Sequence, residues 1–168
     1  MLSGAVKDHA TTTPGGEVLV TLLPGVTLHP VANIVTRNGL TTEIFSKPWG
    51  FLEGEFAHAI HASLNGQAIS AWHMHEQQTD HIYPIDGPFE VAIYDDRKGS
   101  MTRGRINVVR LSRYRPAILQ IGPGLWHGIK NLSNSTASFI NYFDQPYRHD
   151  DPDEWRLPFD TDRIPYRF

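Results

Sequence analysis

Short runs of apolar residues alternate with polar and turn-forming residues along the chain from residue 18 to residue 143. The runs are rich in Val, Ile, Phe and Tyr, which favour β-strands, and no segment has the period of a long amphipathic helix. The pattern predicts eight strands, at residues 18–23, 43–45, 68–75, 81–85, 89–94, 106–111, 117–121 and 138–143. Eight short strands separated by turns indicate an all-β sandwich or barrel.

Residues that favour turns lie between the predicted strands, as at Asn65-Gly66 and at Asp86-Gly87-Pro88. The length of 168 residues is that of one ordinary domain. After Tyr147 the chain becomes acidic and then rich in aromatic and proline residues, which predicts an irregular tail. We therefore expect a flexible segment at 1–17, a β-domain at 18–147 and a tail at 148–168 that packs on the same domain.

The charge balance and the lack of cysteine exclude several kinds of function. The formal net charge is -3 and no dense Lys/Arg cluster is present, which argues against a nucleic-acid partner. Without cysteine, the chain has no disulfide, no thiolate metal ligand and no cysteine nucleophile. Because no apolar stretch has the length of a signal-peptide core or a membrane span, we expect a cytoplasmic protein that binds a small molecule and no membrane.

Two histidines occupy alternate positions of one predicted strand. His73 and His75 lie within residues 68–75, and alternate side chains of a strand share a face. The same alternation places Ile69 and Ala71 on that face. The sequence therefore predicts two imidazoles that project together from an apolar wall.

A carboxylate and a third histidine complete a candidate metal site. Asp80 follows the two histidines closely, and His127 comes just beyond a Gly-Pro-Gly turn. Imidazole nitrogen and carboxylate oxygen suit divalent Fe, Mn, Zn or Ni and leave positions open for water or substrate. A single histidine is more often an ordinary core or surface residue, but the joint spacing of His73, His75, Asp80 and His127 favours one shared metal-binding pocket.

The spacing of these residues resembles the two sequence motifs of the cupin superfamily. In cupins the first motif supplies two histidines and a carboxylate, and the second motif supplies a further histidine inside the barrel. The resemblance implies a jelly roll, or double-stranded β-helix. Asp80 stands where cupins usually have the longer glutamate. The matching positions are His73, His75, Asp80, Gly87, Gly124, His127 and Asn131.

Residues from about 25 to 166 more closely resemble the dTDP-4-dehydrorhamnose 3,5-epimerase (RmlC-like) family. The similar segments are Gly39 to Phe45, Gly124 to Ile129, and Trp155 to Pro158. The resemblance implies an enzyme that remodels a keto-sugar on a nucleotide carrier and that forms a homodimer.

The resemblance also implies roles for single residues, of which only His75 keeps the residue type of the family. His75 matches the histidine that removes a proton next to the keto group. Trp72 stands in place of an arginine, Asp80 in place of a lysine, and Asn141 in place of the tyrosine acid. Tyr147, beyond the strand, is the replacement candidate for that acid. Because an aspartate would repel an enolate, a bound metal is expected to supply the positive charge of the lysine.

These observations lead to three functional hypotheses. The first is a metal-assisted isomerase or epimerase of a small carbonyl compound, with His75 and Tyr147 as catalytic residues. Trp72, Trp126 and Asn141 would contact its substrate, although aromatic residues of a sandwich are more often core. The second hypothesis is an iron-dependent oxygenase, since three histidines and a carboxylate leave room for oxygen. The third is a non-catalytic module that binds a sugar or another metabolite.

Overall fold

The computed structural model describes residues 3–50 and 57–168, whose regular structure is β-strand apart from one 3-10 turn at Lys47–Trp49. Residues 1 and 2 of the predicted N-terminal segment lie outside this part. The described residues contain no helix long and apolar enough to cross a membrane. The strands in chain order are β1 Val26–Pro30, β2 Asn33–Thr36, β3 Gly39–Thr42, β4 His58–Leu64, β5 Ile69–Met74, β6 Asp80–Pro84, β7 Pro88–Asp95, β8 Ile106–Ser112, β9 Ala117–Ile121, β10 Leu125–Asn131, β11 Ala137–Phe143 and β12 Trp155–Arg156.

Two five-stranded sheets form a sandwich around the apolar core. The first sheet has the order β1-β9-β6-β11-β4 and the second the order β12-β5-β10-β7-β8, while β2 and β3 form a separate hairpin. All pairings are antiparallel, and several join strands far apart in the sequence, such as β1 with β9 and β5 with β10. This arrangement confirms the predicted all-β jelly roll.

The core between the sheets is built from side chains that alternate inward along the strands. Leu119 of β9 and Phe139 of β11 come from the first sheet and meet Phe89 and Leu111 from the second. The rings of Phe89 and Phe139 pack edge to face with their centroids 5.5 Å apart. Burial of these large side chains stabilises the contact between the sheets.

Six of the eight predicted strands are confirmed with small shifts at their ends, and two are wrong. Residues 18–23 form no strand, since Val18 makes only an isolated bridge to Thr12 and Leu19 stays half exposed. Residues 43–45 lie beyond β3, where Ile44 packs on the first sheet and its carbonyl accepts a 2.8 Å hydrogen bond from the Tyr142 hydroxyl.

The pairing of β5 with β10 contains a bulge that changes which residues share a face. His127 pairs with His73, whereas Ile129 pairs with Ser70, so β5 has one residue more than β10 between these two pairs. As a consequence Ser70, and not Ala71, lies with His73 on the inner face. The expected sharing of a face by Ala71 and the histidines is therefore wrong, because strict alternation fails across a bulge.

The tail packs on the outer face of the second sheet. Strand β12 pairs with β5, and the backbones of Trp72 and Leu157 exchange hydrogen bonds of 2.9 and 3.2 Å. Trp72 and Ile164 are fully buried in a second apolar cluster, against which Phe168 also packs. The tail therefore shares one continuous apolar contact with the β-domain.

Gly128 allows β10 to lie close to β5 and the tail, which generates a stability prediction. A methyl group on Gly128 would overlap the Ala71 side chain and lie 2.9 Å from Cζ of Phe168. We expect Gly128→Ala to lower the free energy of unfolding by about 1–3 kcal/mol, because overpacking forces neighbouring groups apart. Urea denaturation measures the change. Gly15→Ala is the control, since its added methyl would have its nearest neighbouring atom at 3.7 Å, and equal stability of the two variants would contradict the prediction.

Candidate active site

An open cavity of about 700 Å³ lies between the two sheets, beside the apolar core. One part of its wall is apolar and consists of Ile82, Val91, Ile129 and Phe139, which also belong to the core. The other part carries histidines, acids and amides from β5, β6, β10, β11 and the tail. A volume of this size is usual for small-molecule sites, which measure roughly 300–1,000 Å³.

A buried carboxylate lies between two imidazoles on the polar side of this cavity. Oδ2 of Asp80 is 2.8 Å from Nε2 of His127 and 3.5 Å from Nε2 of His75, and Asp80 is only 1% exposed. Potential ligand atoms of the three residues all lie within 4.8 Å of one another. Among residues 3–50 and 57–168, this is the only set of three or more such side chains that converges in this way.

Both imidazoles face hydrogen-bond acceptors on both of their nitrogens. Nδ1 of His75 lies against the backbone carbonyl of Asp153, and Nδ1 of His127 is 3.1 Å from the carbonyl of Leu125. Each Nε2 faces the Asp80 carboxylate. Because a neutral imidazole has only one N–H, this arrangement requires either extra protons on the rings or another cation between Nε2 and Asp80.

The charges of Asp80 and His75 stabilise each other. Burial alone would raise the pKa of Asp80, but hydrogen bonds and charge from His127 and His75 hold it far below its usual range. Burial also opposes protonation of His75, yet the hydrogen bond and charge of Asp80, together with Asp153, raise the pKa of His75 to about 9. In the absence of a metal, His75 is therefore an imidazolium at neutral pH.

His73 lines the cavity but lies outside the converging set. Its Nδ1 is 3.1 Å from Oε1 of Glu154 and its Nε2 is 3.0 Å from Oγ of Ser70. Burial, and then the charge of His127, lower its pKa. The structure thus brings together three of the four predicted metal ligands, and the bulge in β5 gives His73 separate partners.

Neither of the two tryptophans predicted to contact substrate lines the cavity. Trp72 is fully buried on the opposite face of β5, and Trp126 packs in the same outer cluster. The expected contacts are wrong because each tryptophan directly precedes an inward-facing histidine, so its own side chain points outward. Trp72 and Trp126 are instead packing residues of the outer apolar cluster.

Asn141 and Tyr147 do line the cavity. Asn141 lies on β11 and is 9% exposed, and its Oδ1 accepts a 3.0 Å hydrogen bond from the backbone N–H of His81. Tyr147 follows β11, is 46% exposed, and packs edge to face on His149 with ring centroids 4.9 Å apart. The structure therefore places both residues where a bound molecule would meet them.

Several polar residues of the site were missed by the sequence analysis. Gln78 donates a 3.0 Å hydrogen bond from Nε2 to Oδ1 of Asp80, and the tail brings Asp153 and Glu154 to the histidines. The acidic composition of residues 150–154 was the available signal. It gave no indication of the strand pairing that carries those acids into the cavity.

Comparisons with known proteins bear on the family of the chain. A scan against models of protein families finds no match. The chain is 34% identical over 125 residues to the probable low-salt glycan biosynthesis epimerase Agl13 of Haloferax volcanii, which covers 74% of this chain and 80% of the relative. It is 28% identical over 147 residues to the spore coat polysaccharide biosynthesis protein SpsL of Bacillus subtilis, with 88% and 97% covered.

Solved structures of sugar epimerases and isomerases share the fold. A dTDP sugar isomerase from Desulfovibrio desulfuricans matches 88% of this chain and 94% of its own, with a TM-score of 0.81 and 26% identity. ChmJ, a 3'-monoepimerase from Streptomyces bikiniensis in complex with dTDP-quinovose, matches 80% of this chain and 70% of its own, with a TM-score of 0.72 and 19% identity. The chain belongs to the RmlC-like family of sugar epimerases, the family of dTDP-4-dehydrorhamnose 3,5-epimerase.

Proposed function

We propose that this protein epimerises or isomerises a keto-sugar carried on a nucleotide. The observation that carries the proposal is the cluster of His75, Asp80 and His127 on the polar wall of a sugar-sized cavity, in a chain of this family. Removal and return of a proton beside a carbonyl needs a base and a positive group that stabilises the enolate. The cluster offers groups for both tasks.

Polar side chains around the cavity support a nucleotide-linked substrate. Arg148 and Arg156 line the cavity and are more than half exposed. Each is paired with an acid of the tail, Asp151 and Glu154 respectively, and an anionic carrier such as a diphosphate would compete with that acid for the guanidinium group. Asn141 uses its Oδ1 within the protein, which leaves its amide NH2 for a substrate oxygen. We propose Tyr147 as the acid that returns a proton, in the place of the tyrosine that Asn141 replaces.

We further propose that His75, Asp80 and His127 hold a divalent metal ion. Two observations support a fit: the three donor atoms converge, and each histidine points Nδ1 at a backbone carbonyl, as metal-bound histidines do. A metal here would polarise the substrate carbonyl, which is the task of the lysine that Asp80 replaces. With metal bound, Tyr147 is the remaining candidate base, and solvent would return the proton. Without metal, Tyr147 is the acid and His75 is the base in those molecules whose His75 imidazole is neutral, a fraction that grows as the pH rises towards about 9.

An iron-dependent oxygenase is a second candidate function, and one observation favours it. Two histidines and one carboxylate form the ligand set of many non-haem iron oxygenases. Oxygen consumption with a substrate separates this reaction from epimerisation, which uses no oxygen.

The homodimer and the cytoplasmic location stay predictions. Exposed Ile34, Val35 and Leu40 on the β2-β3 hairpin support self-association.

Exchange of substrate protons with solvent tests the proposed reaction. In D2O the protein should incorporate deuterium beside the carbonyl of a dTDP-linked 4-keto-sugar, observed by NMR. We expect His75→Ala to exchange at least about 100-fold more slowly, the size of effect typical for loss of a catalytic acid or base. His61→Ala is the control, because His61 is exposed on β4 outside the cavity. Wild-type exchange rates in His75→Ala would contradict the proposal.

Loss of one ligand tests the metal site. We expect His127→Ala to bind Mn²⁺ or Zn²⁺ more than about 100-fold more weakly in calorimetric titrations, beyond the 10–100-fold loss usual for residues around a metal site. The variant should fold but melt at a lower temperature than the wild type, because the buried Asp80 loses one of its two imidazole partners. Unchanged metal affinity in His127→Ala, with His61→Ala as control, would rule out the three-residue site.

The dependence of metal binding on pH follows from the charge of His75. The pKa of His75 in the metal-free protein is about 9, so at lower pH the metal must displace a proton held by Asp80 and Asp153. We expect the apparent affinity to rise about tenfold per pH unit between roughly pH 6.5 and 8.5 and to level off above about pH 9. Calorimetry at three pH values measures this. An affinity independent of pH would show that no proton leaves His75.

A further inference from the structure

Asp153, in the tail just before β12, contacts the candidate active site through both its backbone and its side chain. Its backbone carbonyl accepts a hydrogen bond from Nδ1 of His75. Its carboxylate accepts three backbone N–H groups, from Glu76 at 2.8 Å, Gln77 at 2.8 Å and Gln78 at 3.0 Å. One tail residue therefore holds both the imidazole and the loop that follows it.

The contact with the carbonyl fixes which nitrogen of His75 faces the cavity. Since Nδ1 donates its hydrogen to Asp153, the second nitrogen, Nε2, is directed towards Asp80. A metal ligand or a proton-removing base at this position both need the Nε2 lone pair. The contribution of Asp153 is therefore the same whether the site works with or without a metal.

The contact with the loop also positions Asp80, because the loop ends at a residue that binds the Asp80 carboxylate. Residues 76–78 leave β5 directly after His75 and end at Gln78, whose side chain donates to Oδ1 of Asp80. The Asp153 carboxylate fixes this loop by accepting hydrogen bonds from its three backbone N–H groups. Asp153 thus sets the positions of His75 and, through Gln78, of Asp80.

The tail holds Asp153 firmly enough to act in this way. Immediately after it, β12 pairs with β5, with Arg156 opposite His73. Further along, the Tyr166 hydroxyl donates a 2.7 Å hydrogen bond to Oε1 of Glu90 on β7. These contacts on two strands of the second sheet keep the segment in one place.

We infer that Asp153 is a positioning residue that aligns His75 and Asp80 for the reaction, and that the tail is part of the active site. The expected effect on the reaction rate rests on the proposed function. The positioning of His75 and of the loop at residues 76–78 rests on the hydrogen bonds alone. Asp153 acts on the reaction through His75 and Gln78, so its loss should change mainly the rate of the chemical step and leave substrate binding nearly intact.

Asp153→Ala and Asp153→Asn test the inference with kinetics. We expect Asp153→Ala to lower kcat for proton exchange about 10–100-fold, as is usual for residues that orient a catalytic histidine, while KM changes less than about twofold. Asp153→Asn keeps one acceptor oxygen and should fall between wild type and Asp153→Ala. Asp150→Asn is the matched control, an exposed acid of the same segment, and should behave like wild type.

NMR gives a second readout that does not depend on any substrate. In the wild type the Nδ1–H of His75, assigned with His75→Ala, should exchange slowly with solvent, as should the amides of residues 76–78. Asp153→Ala keeps the backbone carbonyl but removes the acceptor of the three amides. These amides should therefore exchange fast, and the Nδ1–H of His75 should exchange faster than in the wild type. If the wild type exchanges no keto-sugar but these NMR effects occur, the proposed function fails and the positioning role stands.

Two results would overturn the inference. One is wild-type kcat together with slow exchange of the amides of residues 76–78 in Asp153→Ala. The other is a loss of melting temperature in Asp153→Ala and Asp153→Asn with kcat and KM altered in equal proportion, which is the effect of general destabilisation and not of positioning.

Discussion

A carboxylate buried between two imidazoles is the interaction on which the active site depends. Asp80 has almost no contact with solvent, and a buried charge without partners costs several kcal/mol. His75 and His127 offset that cost by sharing its oxygen, and Gln78 satisfies the other oxygen. The cluster therefore always contains positive charge, as protons or as a metal ion, and this charge lies where an enolate would form.

The jelly roll brings this cluster together from three strands and the tail. His75 follows β5, Asp80 opens β6 and His127 lies on β10, so the three side chains come from both sheets and meet across the cavity. The tail first brings Asp153 to His75 and then crosses the outer face of the second sheet. The site is therefore complete only when both sheets and the tail are in place.

The fold and the convergence of three site residues follow from sequence patterns. The other features of the site depend on contacts between distant segments, which no local sequence pattern indicates. Runs of β-branched and aromatic residues predicted the sandwich, and motif spacing predicted that His75, Asp80 and His127 meet. The bulge in β5 was not predictable from alternation, and it accounts for the error about Ala71 and for the separate partners of His73. Strand β4 has an exposed, weakly alternating pattern typical of an edge and was missed for that reason.

The metal content of the protein tests the central claim most directly. Untagged protein, purified without nickel resin or chelator, is analysed for elements and quantified per chain. The account predicts close to one divalent ion per chain, lost in Asp80→Asn. Metal-free protein that still exchanges keto-sugar protons at an undiminished rate after treatment with chelator would contradict the account. That result would assign the positive charge beside Asp80 to the proton on His75.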